Sequence, residues 1–283
     1  MKIKNLKEIK KEGNPTLNMI IYGDSGVGKT TLAATAAKLG KVLYIDAEAG
    51  SKFIDEKFAE NIDILKLENA SQLEEVLKSK ELDNYETVVL DSITEIMKKM
   101  IDLVKGTKER PTLQDWGTII TKMETYFRRF RDLGKNVLLV ALTTEKDDDG
   151  IILKRPSLSG KNLPSDIIGF QDVCLYLENT VHGRVGHVQP SQKFYAKDRT
   201  NKLGEKIEQK NLNIEYILEK ISSKPEPASK EQLEEIYSFV EKEKIKPDDM
   251  NKMAEYGGAS IIEELDYVGA EKVIKALNLK YAS

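Results

Sequence analysis

From Gly23 the chain reads Gly-Asp-Ser-Gly-Val-Gly-Lys-Thr-Thr, filling every fixed position of the pattern Gly-x-x-x-x-Gly-Lys-Ser/Thr. Those residue types at that spacing suit one kind of chemistry. Gly23, Gly26 and Gly28, with Asp24, Ser25 and Val27 between them, let backbone amides curl around a β-phosphate. Lys29 is placed to reach the β- and γ-phosphates of ATP, the Thr30 hydroxyl to ligate Mg2+, and Thr31 to touch the α-phosphate. Asp91 closes the apolar run Thr87-Val88-Val89-Leu90-Asp91, where a carboxylate beside the Mg2+ is expected.

A phosphate cradle works only where a strand runs into a helix, because the helix start adds partial positive charge. The surrounding sequence supplies that frame. Five apolar, β-branched-rich runs alternate with helical patterns: Asn18–Tyr22, Val42–Asp46, the short Ile62–Lys66, Thr87–Asp91 and Asn136–Ala141. This alternation predicts a mostly parallel sheet with helices on both faces. A helix follows the cradle through Ala37, another lies near Ser71–Lys80, and a long one spans Leu113–Leu133, with Ile119, Met123, Phe127 and Phe130 at core-facing spacing. Three later runs, Asp172–Leu177, Gly186–Val188 and Lys193–Ala196, read as antiparallel additions to the sheet edge.

Ser222–Pro227 carries two prolines among polar neighbours and reads as a linker. Ser229-Lys230-Glu231-Gln232 then forms a capping box that opens a helix. Further turn-bounded helical pieces end near Gly257-Gly258 and begin at Ser260 and Glu271. The expected organisation is a core over residues 1–221, a linker over 222–228 and a small all-α module over 229–283. The module's acids (Glu234, Glu235, Asp248, Asp249, Glu263 and Glu264) favour a protein partner, or packing on its own core, over direct DNA binding.

Composition sets outer bounds. Apolar residues make up 40% and charged residues 32% of the 283, which supports a packed core and a well-solvated surface. No run approaches the length of a membrane span, and the mixed-charge N-terminal lead-in has no apolar stretch of the secretory kind. The cytoplasm is the expected compartment. A single cysteine, Cys174, and two histidines, His182 and His187, argue against disulfides and cysteine- or histidine-rich metal sites; Cys174 sits in an apolar run and reads as a core thiol. The net charge of −3 leaves any nucleic-acid surface to be local.

Taken in order, these elements resemble the RecA/RadA superfamily of P-loop ATPases from about Gly23 to Arg199. The resemblance implies a RecA-like core and gives further residues roles. Tyr44-Ile45-Asp46-Ala47-Glu48 is similar to the RecA strand end that carries the catalytic glutamate, so Glu48 would orient the attacking water if its strand flanked the P-loop strand. Glu95 is the rival, and an ordinary exposed turn glutamate is the plain alternative. Ser92 stands where AAA+-type motors usually place a glutamate. Thr143 and Thr144 follow the Asn136–Ala141 strand, where RecA-like enzymes keep a polar sensor of the γ-phosphate. Lys197-Asp198-Arg199-Thr200 resembles the Lys-x-Arg element that reaches a neighbour's nucleotide in rings and filaments, with both cations on one side of a strand.

More narrowly, Gln114-Asp115-Trp116-Gly117, Pro156–Lys161 and Ala196–Thr200 resemble phage-type ATPases of single-strand annealing and recombination. That likeness implies single-stranded DNA as a partner. It would lie on two mobile loops, one with Lys105, Lys108 and Arg110, the other with Lys154, Arg155 and Lys161; Trp116 reads as buried. Acids Glu145, Asp147, Asp148 and Asp149 share the second loop and would repel phosphates. Arg128, Arg129 and Arg131 form another candidate surface. The reading is an ATP-hydrolysing homo-oligomer, ring or filament, acting on single-stranded DNA. A DnaB-like hexameric motor subunit and an ATP-gated adaptor without DNA contact remain alternatives.

Overall fold

In the computed structural model the described residues are 16–148, 150–223, 227–243 and 245–281. The N-terminal lead-in, Asp149 and residues 224–226 of the expected linker lie outside them. The chain divides into two units at Ser222/Ser223. Among the described residues no helix is long and apolar enough to cross a membrane.

Among its described residues the first unit has ten strands. Residues Asn18–Gly23 form β1, whose six positions are all buried; such a two-sided apolar run belongs in the middle of a sheet. It leads through the glycine-rich turn into α1 (Lys29–Ala34), which tightens into a 3-10 turn over Thr35–Lys38. Then follow β2 (Val42–Asp46), β3 (Ile62–Lys66), α2 (Gln72–Lys78), β4 (Thr87–Asp91), α3 (Ile93–Lys105), α4 (Leu113–Arg131) and β5 (Asn136–Asp148). The rest comprises β6 (Ile151–Pro156), α5 (Leu163–Phe170), β7 (Val173–Thr180), β8 (Gly183–His187), β9 (Lys197–Asp198), β10 (Lys206–Glu208) and α6 (Ile214–Ser222).

The strand order is β10-β8-β7-β1-β5-β4-β2-β3, with β6 on β5 and β9 on β7. From β7 to β3 every pairing is parallel, so the C-terminal ends of six strands share one edge. Helices cover both faces, as expected of a RecA-like core. One face packs Ile96 and Met100 of α3 with Met123, Phe127 and Phe130 of α4. The other packs Leu32 and Ala33 of α1 with Ile214 and Ile217 of α6.

Three expectations need correction. Val173–Thr180 is not an antiparallel edge addition: it pairs in parallel with β1, because Val173 to Leu177 are apolar on both faces and are all buried. The antiparallel extension begins with β8 and β10. Lys193–Ala196 forms no strand; Phe194 contributes one isolated bridge to Lys154, and the strand that follows is the two-residue β9. The segment after the expected Asn136–Ala141 strand is no open loop either. β5 runs on to Asp148 and returns as β6, Glu145 opposite Lys154, around Gly150 (φ 84°), whose amide donates to Asp147 Oδ1 at 2.8 Å.

The second unit holds α7 (Lys230–Lys242), α8 (Pro247–Gly257) and α9 (Tyr267–Tyr281), with a 3-10 turn over Ile262–Glu264. Ser229 and Gln232 make the reciprocal capping box that starts α7. Ile236, Ala254, Ile262, Leu265, Val273 and Leu277 form its own core.

Candidate functional site

The phosphate loop begins where β1 touches its neighbour. A side chain at Gly23 would strike the Leu177 carbonyl of β7, so only glycine allows the two backbones to approach this closely. Gly28 has φ 98° and caps α1, a left-handed conformation that costs glycine little. Asp24, Ser25 and Gly26 are exposed on the loop, Val27 is buried beneath it, and Thr31 faces solvent. Lys29 is buried and folds back over the loop, its Nζ donating to the carbonyls of Gly23 at 3.0 Å and Asp24 at 2.8 Å. Burial lowers the Lys29 pKa, partly countered by the carboxylates of Asp91, Glu48 and Asp24.

Thr30 donates to Asp91 Oδ2 at 2.6 Å, and the Tyr44 hydroxyl donates to the same oxygen. Burial pushes the Asp91 carboxyl up, the Thr30 and Tyr44 hydrogen bonds push it back, and Glu48 and Asp46 raise it again. The Tyr44 hydroxyl is itself driven well above its ordinary range by burial and by Asp91. Two hard oxygen donors, from Thr30 and Asp91, therefore converge beside the Lys29 ammonium. That donor set fits Mg2+, which takes few protein ligands and completes its shell with phosphate and water. Among the described residues no group of three or more His, Cys, Asp or Glu is placed to hold a metal alone.

Glu48 reaches this cluster by a different route from the one expected. Its strand, β2, does not flank β1; β5 and β4 stand between them. The ladder between β2 and β4 continues past the strand end through Ala47 N to Asp91 O at 2.7 Å. Glu48 then accepts a hydrogen bond from Ser92 Oγ, so it lies next to Asp91. Asp46 holds the turn: its carboxylate accepts from the amides of Glu48 at 3.1 Å, Gly50 at 3.2 Å and Ser51 at 2.9 Å. Burial alone would raise the Asp46 pKa, but these bonds, led by Ser51, hold it below the ordinary carboxylate value. Glu95 turns away and pairs with Lys98 at 2.9 Å, while its amide is capped by Ser92.

Leu142 lies opposite Gly23, so Thr143 and Thr144 follow directly at the shared strand edge, between the P-loop and Asp91 strands. The Thr143 hydroxyl is buried with no hydrogen-bond partner among the described residues; an orphaned donor there is costly unless a ligand or water meets it. Alternation along β5 puts Thr144 on the other face, that of Val140.

Lys197 and Arg199 lie far from their own loop. Lys197 opposes Cys174, which opposes Ile20, toward the opposite end of the sheet from Gly23. Lys197 Nζ donates to the carbonyls of Ile168, Gly169 and Gln171 at 3.1, 3.2 and 2.8 Å. Arg199, beyond the strand, pairs with Asp172 at 3.0 Å and donates to Gly169 O at 3.1 Å. The two cations thus converge, on the C-terminal end of α5. Burial and then Arg199 lower the Lys197 pKa.

Of the residues expected to face DNA, Lys105, Lys108 and Lys154 are engaged by acids of the same chain. Lys105 pairs with Asp102 at 3.0 Å, and Lys108 with Asp115 at 2.8 Å. Lys154 and Arg155 lie on β6 rather than in a loop. Lys154 Nζ reaches Tyr176 OH at 2.9 Å and Asp24 of the phosphate loop at 3.7 Å; the Arg155 Nε is buried with no hydrogen-bond partner among the described residues. Arg110 and Lys161 are exposed. Arg128 and Arg131 lie over Phe170, and Arg129 pairs with Glu74. Trp116 is only half-buried, lining an open pocket with Gly117, Ile120, Thr121 and Gly160. Two distant sequence motifs meet there.

Sequence reasoning assigned no role to Tyr44 or Asp46. The available signal was their place at the end of a strand rich in apolar residues, where a buried tyrosine and aspartate must find partners.

None of the curated proteins matches the chain. Among solved structures, a KaiC-like protein from the hyperthermophilic archaeon Pyrococcus horikoshii OT3 is similar at 16% identity and a TM-score of 0.39, over 65% of this chain and 84% of that one. A family model described as AAA domain matches residues 16–200, the span that holds the loop, Glu48, Asp91 and the Thr143–Thr144 edge. The chain belongs to this AAA domain family of P-loop ATPases.

Proposed function

We propose that the protein hydrolyses Mg-ATP at the interface between copies of itself and uses the cycle to control assembly on single-stranded DNA, in recombination or annealing of the phage type. The observation that carries the hydrolytic part is the convergence of Lys29, Thr30, Asp91 and the Ser92-held Glu48 at one strand edge. Lys29 neutralises phosphate charge, and Glu48 accepts the proton of an attacking water. Thr30 and Asp91 would hold Mg2+, which would supply neutralisation of phosphate charge. Thr143 or Thr144 senses the γ-phosphate. Lys197 and Arg199, turned away from their own loop, serve the nucleotide of a neighbouring subunit.

The DNA part rests on the sequence likeness and on the exposed Arg110 and Lys161. A second reading, an ATP-gated adaptor without DNA contact whose helical unit holds a protein partner, is favoured by the pairing of Lys105, Lys108 and Lys154 with acids of the same chain. ATPase rates measured with and without single-stranded DNA across a salt series separate the two. Stimulation that declines steeply with salt supports the DNA reading; a rate insensitive to DNA at every salt refutes it in favour of the adaptor. Lys197→Ala and Arg199→Ala are each expected to lower the rate, and unchanged hydrolysis in both ends the trans role.

A further inference from the structure

Arg184 belongs to no motif, yet the fold sets it on the phosphate loop. Leu177 of β7 stands beside Gly23, so β7 outruns the P-loop strand through Glu178, Asn179 and Thr180. The chain turns there, and β8 brings Arg184 back opposite Asn179. Its guanidinium lies over Gly28: a Cβ on that glycine would come within 2.6 Å of Nη1, 3.0 Å of Cζ and 3.3 Å of Nε. All three atoms are close to one carbon, so the guanidinium covers the backbone immediately before Lys29.

The backbone of this arginine is anchored on both sides. The Arg184 amide donates to Gln209 Oε1 at 2.9 Å, and β8 is held between β7 and β10. The side chain is exposed, and among the described residues no carboxylate pairs with the guanidinium. By contrast Lys154, on the other side of the loop, is engaged by Tyr176 and Asp24. A planar cation with five donors, unpaired beside a loop shaped for phosphates, is suited to bidentate contact with phosphate oxygens.

We propose that Arg184 is a phosphate ligand supplied by the same subunit, contacting the phosphates of bound ATP or ADP beside Gly28. The proposal rests on the reading of the loop as the ATP site. Calorimetric titration of Arg184→Ala with Mg-ADP, and separately with Mg-tripolyphosphate, tests it, with Arg184→Lys and Lys29→Ala alongside. The expected result is an affinity about tenfold weaker for both ligands, the loss typical of one charge-assisted contact. The ligand-free melting temperature should be unchanged, and Arg184→Lys should recover part of the affinity. Unchanged ADP affinity in Arg184→Ala, where Lys29→Ala has lost it, overturns the proposal and leaves the ATP site standing. A loss for ADP but not for tripolyphosphate also overturns it, placing the arginine on the nucleoside. Normal ADP binding by Lys29→Ala brings down the ATP-site reading, and the proposal with it.

Discussion

Asp46→Asn tests whether the turn behind β2 is what makes Glu48 available. The carboxylate accepts two amides on Oδ1, from Glu48 and Gly50, and one on Oδ2, from Ser51. Asparagine can keep its oxygen toward Glu48 and Gly50, but its NH2 then faces the Ser51 N–H, donor against donor. One hydrogen bond to a charged acceptor is lost and two become neutral, so the cost should be about 3 kcal/mol. For a domain of this size that lowers the melting temperature by about 6–12 °C. The loosened turn should also lower kcat by about tenfold, equivalent to about 1.4 kcal/mol of positioning, while ADP affinity stays near wild type because the phosphate loop is untouched. The pH dependence follows in sign. Hydrogen bonding depresses the folded pKa of Asp46 below 3.8, so its stabilisation is complete above the unfolded value and is lost as pH falls through the folded one. The melting gap between wild type and variant should therefore hold from neutrality to about pH 4 and close below it. Calorimetric melts across pH, paired with steady-state hydrolysis, supply both readouts. A variant that melts with wild type at pH 7 and turns over normally would refute the positioning argument.

Glu48→Gln should retain nucleotide binding in equilibrium titration and lose most multiple-turnover hydrolysis; full activity would move the base elsewhere. Lys29→Ala should weaken ADP binding by at least about tenfold, since it removes the loop ammonium expected to meet the phosphates. Cys174 is fully buried and its thiol pKa is pushed up by that burial, so a thiol reagent at pH 8 should label it only after denaturation; rapid labelling of native protein would show that β7 opens.

The cradle was legible because it is local: the chemistry and the backbone that performs it occupy consecutive residues. Asp91 was legible for a related reason, as the polar end of an apolar run. Glu48 could be named from its likeness to a strand end, but not its path to the site, because sheet order is a non-local property that hydrophobic periodicity does not carry. β7 was misread for the same reason. A run such as Val173–Leu177 shows that both faces are buried, and only pairing with β1 makes it parallel. Reading Lys154 as a DNA contact took the hairpin for a loop, although Asp149-Gly150 between alternating segments is a recognised hairpin signal. Side-chain reach from β6 back to Asp24 has no counterpart in spacing along the chain.

Strand order also bears on whether one subunit can complete the site. With neighbouring strands about 4.8 Å apart, β2 lies about 14 Å from β1, and Glu48 comes near Asp91 only because the Asp46 turn carries it over the end of β4. Lys197 lies in the other direction, opposite Cys174, three residues back along β7 from the level of Gly23, or about 10 Å along the strand. No rotation of its side chain brings it to its own loop. If Lys197 and Arg199 act in hydrolysis, they act on another copy, and that has a consequence that single variants cannot mimic. Glu48→Gln has a dead site but intact cations; the double variant Lys197→Ala, Arg199→Ala has an intact site but no cations. In a head-to-tail assembly of an equimolar mixture, about one interface in four joins the intact site to the intact cations. Two inactive preparations should therefore regain about a quarter of wild-type hydrolysis once their subunits exchange. A mixture that stays as inactive as its parts after proven exchange would mean that the two cations serve only to cap α5.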